Sequence, residues 1–551
     1  MKKNSSLIGI ILGIIIPSFL IGSIWQRDSA YLNLRVNNDT TTQVQNEEQI
    51  VMNPTDTTNL VAVWRDFRLG YRQVTYAYTY DGGLTWEQDL FSEPQYIWDS
   101  DPGLTVDTAG NFYAVILSYN STSEPNGLFV YKSTDGGATW NGPVTVINGV
   151  SGVFEDKELI ACDRSSGPYT NNLYVAWARF NNTQILLCRS TDGGNSFVGP
   201  VSVSDYNGVQ WPVPAVGTNS EVYVAWVHYY PGSIRLDIST DGGQTFGSDI
   251  TIQNVTFVSG SINGNITVFS FPALDVDITN GPNNGYMYVA YMDDASGYTD
   301  TDIFFTRSTD GGSTWSQRMR INDDPQNNGC DQFHPWLTVT PDGDIIAVFL
   351  DRRLDSGNLF MDLYLTISTD GGTTWSTNER ITTVSSDPTA GSWRETGNYP
   401  VKYETPFILA DRAGLLGEYI GLTASSIDDI HPLWTDTRLG DQDAFFGIKD
   451  TTSPHVQEIP ERLTSGKGLL ITPNPGSGKI LFILNSEYMG FNQAQLDIYD
   501  ACGRVVKTFE NTGHIVTWDR YTDNGMYARS GIYFCYLKIG KLAIMKKFIL
   551  L

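Results

Sequence analysis

One eight-residue motif recurs six times along this chain and constrains its fold more than any other feature. Its full form is Ser133-Thr-Asp-Gly-Gly-Ala-Thr-Trp140. The six copies are centred on Asp81, Asp135, Asp192, Asp241, Asp310 and Asp370, at intervals of roughly 50 to 70 residues. A repeat of this length indicates a propeller, a solenoid or another array of similar units.

Each copy of the motif has the chemistry of a tight hairpin turn. Two successive glycines adopt positive φ without steric cost, and the aspartate carboxylate accepts backbone N–H groups of its own turn. The closing Trp or Phe then packs its ring into the following strand. We therefore interpret the six aspartates as structural residues and not as catalytic ones.

A motif of the form Ser-x-Asp-x-Gly-x-Thr-Trp is the Asp box (BNR repeat), and its repetition resembles the sialidase-type β-propellers. The resemblance covers residues 31–449 and implies an all-β fold in which each box joins the third and fourth strands of a blade. Counting the repeated units gives seven blades, whereas sialidases have six, so six remains the alternative. The seventh unit starts at Tyr419 and lacks a box.

The N-terminal strand is predicted to close this ring. Arg35-Val-Asn-Asn-Asp39 matches Arg320-Ile-Asn-Asp-Asp324, which follows the Asp310 box as a fourth strand. The first segment of the chain is thus a fourth strand with no blade before it. A propeller that lends a terminal strand to its last blade leaves few exposed sheet edges.

Composition excludes several classes of function. The 551 residues carry a formal net charge of −26, which argues against nucleic-acid partners because these need a basic surface. The five cysteines form no CxxC pair, and the five histidines are scattered. We therefore expect no metal and no cofactor. Cys502 and Cys535 are close enough in sequence to bridge, but buried free thiols are the preferred interpretation.

Both ends of the chain predict export. Lys2 and Lys3 precede an apolar run, so residues 1–26 are predicted to be a signal peptide, with an uncleaved membrane anchor as the alternative. Residues 450–466 have the composition of a linker. Beyond it, residues 467–551 are predicted to form a small β-sandwich.

The C-terminal segment carries Pro473-Asn-Pro475, Trp518-Asp519 and Ser530-Gly-Ile-Tyr533 in that order. It resembles the type A sorting domain of the type IX secretion system, which has an immunoglobulin-like fold. The resemblance implies the type IX machinery as a partner and a protein secreted or held on the outer surface of a Gram-negative bacterium. Membrane contact is expected only through the signal segment or surface attachment. The alternative is an immunoglobulin-like accessory domain with no export role.

Three arginines follow an acid at the end of the second strand of their blades: Arg68, Arg353 and Arg438, after Asp66, Asp351 and Asp436. Sialidases bind the substrate carboxylate with three arginines, because a guanidinium fork fits a carboxylate. The resemblance implies that these arginines form such a clamp. The alternative is that each pairs with the acid of its own blade. The Arg-Ile-Pro motif of sialidases is absent from the chain.

The catalytic candidates lie where first strands begin, on the face opposite the boxes. Sialidases use a tyrosine nucleophile with a carboxylate partner and an aspartate, which the resemblance carries to Tyr419, Glu418 and Asp101 or Asp99. The same level holds Glu47, Glu48, Glu155, Asp156 and His334. Trp393 lies in a long insert, residues 385–416, which is expected to cover this face and to contact the substrate.

Two functions fit these patterns. The first is a sialidase-like glycoside hydrolase, of the exo-α-sialidase type, that binds anionic sugars through the arginines. The second is a non-catalytic surface propeller that binds a glycan or a glycoprotein through the same face. Arginines that point into a pocket with Tyr419 favour the first, and arginines paired with their own acids favour the second.

Overall fold

The computed structural model describes residues 30–91, 96–120, 125–181, 183–257, 259–294, 300–390 and 416–449, and then 469–472, 479–484, 494–500, 504–510, 515–539 and 542–550. These residues form strands and turns and include no helix, so the all-β prediction is confirmed. It follows that no helix in these ranges is long and apolar enough to cross a membrane. The predicted signal peptide, residues 1–26, and the predicted linker, residues 450–466, lie outside the described residues.

Seven four-stranded antiparallel sheets lie between residues 31 and 449 of the described chain. The chain begins with β1 (Tyr31–Arg35), which belongs to the seventh sheet. Sheet 1 contains β2 (Gln45–Asn53), β3 (Asp56–Asp66), β4 (Gln73–Thr79) and β5 (Glu87–Leu90). Sheet 2 contains β6 (Trp98–Val106), β7 (Phe112–Tyr119), β8 (Gly127–Ser133) and β9 (Asn141–Asn148). Sheet 3 contains β10 (Phe154–Cys162), β11 (Leu173–Phe180), β12 (Gln184–Ser190) and β13 (Val198–Ser202).

The remaining four sheets follow in the same pattern. Sheet 4 contains β14 (Val209–Val216), β15 (Val222–His228), β16 (Ser233–Ser239) and β17 (Ile250–Asn254), and a separate hairpin follows it, β18 (Ser259–Ile262) with β19 (Ile266–Phe269). Sheet 5 contains β20 (Ala273–Val276), β21 (Met287–Asp293), β22 (Asp302–Ser308) and β23 (Met319–Arg320). Sheet 6 contains β24 (Gln332–Val339), β25 (Ile345–Asp351), β26 (Asp362–Ser368) and β27 (Glu379–Arg380). Sheet 7 contains β28 (Gly421–Ser426), β29 (Asp429–Asp436), β30 (Asp443–Lys449) and β1.

The first strands of the seven sheets contact one another in cyclic order. β2 contacts β6, and the contacts continue through β10, β14, β20 and β24 to β28, which in turn contacts β2. The first strands therefore form the inner wall of a ring. The second strands are almost wholly apolar and buried, and four of them carry a fully buried tryptophan: Trp64, Trp177, Trp226 and Trp434. The cores lie between adjacent sheets.

The six Asp-Gly-Gly turns all join the third strand of a sheet to the region of its fourth strand. In the turn at Asp135 the hydroxyl of Thr139 donates to Oδ2 at 2.6 Å and its N–H to Oδ1 at 2.9 Å. Gly136 and Gly137 have φ of 75° and 97°. Burial alone would raise the pKa of Asp135, but these donors lower it. The carboxylate is used by its own turn, as the structural interpretation of the six aspartates predicts.

β1 closes the ring by pairing antiparallel with β30, from Tyr31 opposite Lys449 to Arg35 opposite Phe445. Asn37 then ties the closing strand to the first sheet, because its Nδ2 donates to Asp443 Oδ1 at 2.8 Å and to Gln45 Oε1 at 3.1 Å. This confirms the predicted position of the N-terminal strand.

The same arrangement recurs inside the ring. Asn322 Nδ2 donates to Asp302 Oδ1 and to Gln332 Oε1, both at 2.6 Å, and so joins sheets 5 and 6. The two amides occupy equivalent positions of the Arg-x-Asn-x-Asp segments. The closing junction is therefore built like an internal one.

Two further sheets lie in the C-terminal part. One contains β31 (Leu469–Thr472), β32 (Ile480–Leu484) and β35 (Ile515–Trp518), and the other contains β33 (Ala494–Asp500), β34 (Val505–Glu510), β36 (Gly531–Ile539) and β37 (Leu542–Leu550). They share one core around Trp518 and Phe548. Cys535 is buried as a free thiol, and Cys502 lies outside the described residues.

Replacing the closing amide should loosen the ring. Asn37→Ala leaves the buried Gln45 Oε1 without this donor and leaves Asp443 Oδ1 with its contact to Arg35, so we expect it to lower the free energy of unfolding by about 1–3 kcal/mol. Asn322→Ala should cost a similar amount, and Thr251→Ala on an exposed strand should cost little. Urea unfolding of the full chain, followed by tryptophan fluorescence, measures all three. An Asn37→Ala protein as stable as the wild type would contradict this account of the closure.

Candidate functional site

Five of the seven first strands carry a bulge at the same level of the ring. In sheets 1, 2, 3, 4 and 6 the register with the second strand shifts there, and the second residue of each shifted segment has positive φ. These residues are Glu47 (62°), Asp101 (50°), Lys157 (56°), Trp211 (64°) and His334 (48°). A left-handed conformation is uncommon for residues other than glycine, so its fivefold recurrence is a feature of the fold.

Bulges of this kind change the direction in which a side chain points. They are common at barrel rims and beside active sites, and strained backbone persists where the surrounding structure holds it. The five bulges lie at equivalent positions of the ring, and four of the bulged residues, Glu47, Asp101, Lys157 and Trp211, lie close together. We call this set, together with Glu418 just before β28, the central site.

The Lys157 ammonium group links three sheets at the central site. Its Nζ lies 2.6 Å from Asp101 Oδ2 and 2.7 Å from Glu418 Oε2. One carboxylate oxygen each of Glu47, Asp101 and Glu418 lies within 4.8 Å of the others. The Arg65 guanidinium lies 2.9 Å from Glu47 on the other side. Three carboxylates are thus held together by two cationic groups.

The wall beside this charged cluster is aromatic. Lys157 Nζ lies 4.9 Å from the centre of the Trp211 ring, a cation–π contact. Trp211 stacks on Phe271 with ring centres 5.3 Å apart, and Trp336 lies 6.5 Å from Tyr419. The ring centre therefore combines carboxylates, one ammonium group and a set of large flat rings.

Two of the three carboxyl groups of the central site, those of Glu47 and Asp101, have pKa values shifted in opposite directions. Burial raises the pKa of Glu47 well above its ordinary value, and the charges of Asp101 and Glu418 add to this against the opposing effect of Arg65. Burial also acts to raise the pKa of Asp101, but the charges of Lys157 and Arg65 outweigh it and lower the pKa. Glu47 therefore retains its proton to higher pH than Asp101 does.

The carboxylate trio has the donor atoms that hard divalent cations prefer. The Lys157 ammonium, however, already bridges Asp101 and Glu418 as a cation would. The site is therefore arranged around an internal cation, and the expectation of no metal stays a prediction.

The structure brings three of the predicted catalytic residues together. Asp101, Glu418 and Tyr419 all belong to the central site or its wall, and the Tyr419 hydroxyl donates to the Pro102 carbonyl at 3.3 Å. Burial, and then the charges of Glu47 and Asp101, raises the pKa of Tyr419 well above its ordinary value. A tyrosine nucleophile needs the opposite, so these surroundings do not favour that role.

The arginines do not form the predicted clamp. Arg68 donates to Asp66 at 2.9 Å and to Gln88 on the outermost strand at 2.8 Å. Arg438 likewise donates to Asp436 at 2.9 Å and to Asn33 on the outermost strand at 3.1 Å.

Arg353 repeats this pattern with Asp351 at 2.9 Å and Asn378 at 2.8 Å. The physical reason is that all three aspartates are fully buried, so each needs a cation beside it. The arginines brace the outer part of their own sheets.

The other candidates have structural partners or lie elsewhere. Glu155 accepts from the Trp177 indole at 2.6 Å and from Arg179, and Glu48 accepts from the Thr435 hydroxyl at 2.9 Å. Asp99 is buried at the start of β6, and Trp393 lies outside the described residues.

Sequence reasoning missed Lys157 and Trp211. In the sequence, Lys157 directly precedes Glu158 and Trp211 directly precedes Pro212, the residues near which their repeated units begin. This shared position in the repeat could have identified both.

The C-terminal residues 470–551 match the family model described as the secretion system C-terminal sorting domain. This confirms the predicted type IX sorting domain and points to secretion or location at the outer surface. No curated protein matches the chain.

Several solved structures are similar to this chain at low identity. The intramolecular trans-sialidase from Ruminococcus gnavus is 12% identical, with a TM-score of 0.43, and the match covers 56% of this chain and 91% of that one. The GH93 α-L-arabinofuranosidase of Fusarium graminearum is 15% identical, with a TM-score of 0.40 and coverages of 58% and 93%. A PL25 ulvan lyase is 9% identical, with a TM-score of 0.45 and coverages of 74% and 95%.

Removing the internal cation should destabilise the ring in a pH-dependent way. Lys157→Met leaves buried carboxylates without their cation, so we expect a loss of about 3–5 kcal/mol at neutral pH. Without the ammonium, the folded-state pKa of Asp101 rises above its unfolded value. The added instability is then small at low pH and grows as pH increases through the folded pKa.

Thermal unfolding at several pH values tests this expectation. Lys132→Met is the matched control, because Lys132 donates to the Gly193 carbonyl at 3.0 Å and lies over the Tyr113 ring. The loss of stability caused by Lys132→Met should not vary with pH. Equal pH profiles for the two variants would contradict the electrostatic role of Lys157.

Proposed function

We propose that residues 31–449 form a seven-bladed β-propeller that acts on carbohydrate outside the cell, as a glycoside hydrolase whose reaction takes place at the central site. The observation that carries this proposal is the cluster in which four bulged residues of the first strands, Glu47, Asp101, Lys157 and Trp211, lie together with Glu418. Repeated strain of this kind is expected where function requires it.

The carboxyl pair supplies the chemistry of glycoside hydrolysis. Glu47, protonated because it is buried, donates its proton to the glycosidic oxygen as the bond to the sugar breaks. Asp101, ionised beside Lys157, bonds to the anomeric carbon on the other side, and water later releases the sugar and returns a proton to Glu47. A separation of at most 4.8 Å between their nearest oxygens is close to the roughly 5–5.5 Å typical of retaining enzymes.

The charge of the site favours a sugar without a carboxylate. An anionic sugar at the centre would face the Asp101 and Glu418 carboxylates, and the three arginines expected to bind it are engaged by their own aspartates. The exo-α-sialidase form of the hypothesis therefore has less support than a glycosidase for neutral sugars. The aromatic wall around Trp211 suits the apolar faces of such sugars.

A non-catalytic glycan- or protein-binding propeller is the second candidate. It is favoured by the burial of the central carboxylates, since Glu47, Asp101 and Glu418 are no more than 3% exposed. In this alternative the cluster only holds the first strands together. In either case the C-terminal unit, residues 467–551, is proposed to be an immunoglobulin-like sandwich used for export through the type IX machinery.

Loss of either central carboxyl group should abolish turnover. The test is hydrolysis of a panel of fluorogenic neutral glycosides and of a fluorogenic N-acetylneuraminic acid glycoside by the full chain. Glu47→Gln and Asp101→Asn are each expected to lower kcat/KM by roughly a hundredfold to ten-thousandfold on any neutral substrate that is cleaved. Arg438→Ala should leave activity within a few-fold, because that arginine only braces sheet 7.

Two results would count against the proposal. The first is that wild-type protein cleaves the neuraminic acid glycoside and that Arg438→Ala abolishes this cleavage. This result would support the arginine clamp and a sialidase activity. Folded wild-type protein that cleaves nothing in the panel would favour the binding function.

The pH profile follows from the protonation states of the pair. Because the pKa of Glu47 is raised and that of Asp101 is lowered, both required forms coexist over the pH range between the two shifted pKa values. We therefore expect kcat/KM to stay level across this range and to fall only as pH rises through the elevated pKa of Glu47. Arg65→Met removes a charge that opposes this elevation, so it should move the alkaline limb to higher pH. A fall already near pH 4.5, the ordinary value for a glutamate, would contradict the assignment.

A further inference from the structure

Two exposed tyrosines stand at one edge of sheet 4. Tyr230 is 87% exposed and Tyr206 is 57% exposed, values that are high for large aromatic side chains. The Tyr206 ring stacks on His228 with centres 6.0 Å apart and planes 26° from parallel. The central site does not account for either residue.

The tyrosines lie at the same end of sheet 4 as the bulged residue Trp211. Residues 203–208 lead into β14, and residues 229–232 join β15 to β16. Val209, at the start of β14, pairs with His228, at the end of β15, so both loops meet at this end. The Tyr229 N–H donates to the Gly208 carbonyl at 2.8 Å and holds the two loops together.

The loop that carries Tyr206 is fixed on several sides. The Asp205 N–H donates to Asp249 at 2.9 Å, and the Asp249 N–H donates back to Asp205 at 3.1 Å. The Gly208 N–H donates to the Thr183 hydroxyl at 2.7 Å. A rigid loop presents its aromatic ring without a large loss of entropy on binding, as a binding surface requires.

Side-chain contacts connect this edge with the central site. The Tyr229 hydroxyl donates to Gln210 Oε1 at 2.7 Å, and Gln210 directly precedes Trp211. Trp211 in turn contacts Lys157 and Phe271 at the ring centre. Tyr230 follows Tyr229 directly in the chain and Tyr206 stacks on its other neighbour, His228, so both exposed tyrosines lie beside the first residue of this series of contacts.

We propose that Tyr206 and Tyr230 form an outer saccharide subsite, which binds a neutral sugar chain whose end reaches the central site. This inference rests on the proposed function and deepens it, because it makes the substrate an oligosaccharide or polysaccharide and not a single terminal sugar. Flat, exposed phenol rings stack on the apolar faces of sugars while their hydroxyl groups bind sugar hydroxyls. The acidic chain, with its net charge of −26, favours an uncharged partner over a polyanion.

The test is affinity electrophoresis of the full chain in native gels containing arabinan, xylan, galactan or mixed-linkage β-glucan. All variants carry Asp101→Asn so that the polysaccharide is not cut. Tyr206→Ala and Tyr230→Ala should each weaken retardation, and the double variant should raise Kd at least about tenfold, the effect of one good contact. Tyr80→Ala is the matched control, since Tyr80 is 53% exposed but lies in an Asp-Gly-Gly turn at the opposite end of its sheet.

Three results would overturn the subsite: retardation that the double variant leaves unchanged, an equal loss in Tyr80→Ala, or no retardation of the parent protein by any of the four polysaccharides. Failure of the proposed hydrolysis is a separate result. If wild-type protein cleaves nothing but tyrosine-dependent retardation persists, the subsite stands and the hydrolase assignment falls. If the protein cleaves polysaccharide, the double variant should raise KM for the polymer and leave kcat/KM for short fluorogenic glycosides unchanged.

Discussion

Pairing of β1 with β30 is the interaction on which the rest of this structure depends. It supplies the outermost strand of sheet 7 and places the end of the ring beside its beginning, so that β28 contacts β2. Glu418, just before β28, and Glu47, on β2, are more than 350 residues apart in sequence and meet only because the ring is closed. The closing strand therefore builds the central site as well as the fold.

The central site holds charges that would repel one another without Lys157 and Arg65. Burial raises the pKa of Glu47, whereas the nearby charges of Lys157 and Arg65 outweigh burial and lower the pKa of Asp101. The bulges explain how a polar cluster fits inside a ring of apolar strands. Each bulge inserts one extra residue into its first strand, so that the pairing with the second strand resumes one residue out of step. Within one strand, the bulged residue can therefore contribute to the polar site while other residues pack in the apolar core.

Much of this architecture is readable from local sequence, because turns are local structures. The Asp-Gly-Gly pairs located the six turns, and the match between Arg35–Asp39 and Arg320–Asp324 located the closing strand. The predicted arginine clamp was wrong. The pattern Asp-x-Arg shows only that the two residues are neighbours in sequence, and in the structure each buried aspartate pairs with the arginine two positions after it. Lys157 and Trp211 were not predicted because their residue types do not indicate a bulge, and only their shared position in the repeat could have identified them. The structure brings Tyr419, Glu418 and Asp101 together, since all three lie where first strands begin, and their catalytic roles stay predictions.

The central claim is that ligands bind at the bulged end of the ring, among Asp101, Lys157 and Trp211. The most direct measurement is a crystal structure of the Asp101→Asn protein with a neutral oligosaccharide taken from whichever polysaccharide retards it most. The account predicts a sugar against the Trp211 ring with its glycosidic oxygen within hydrogen-bond distance of Glu47. An oligosaccharide bound only at the end that carries the Asp-Gly-Gly turns, or only on the C-terminal sheets, would contradict it.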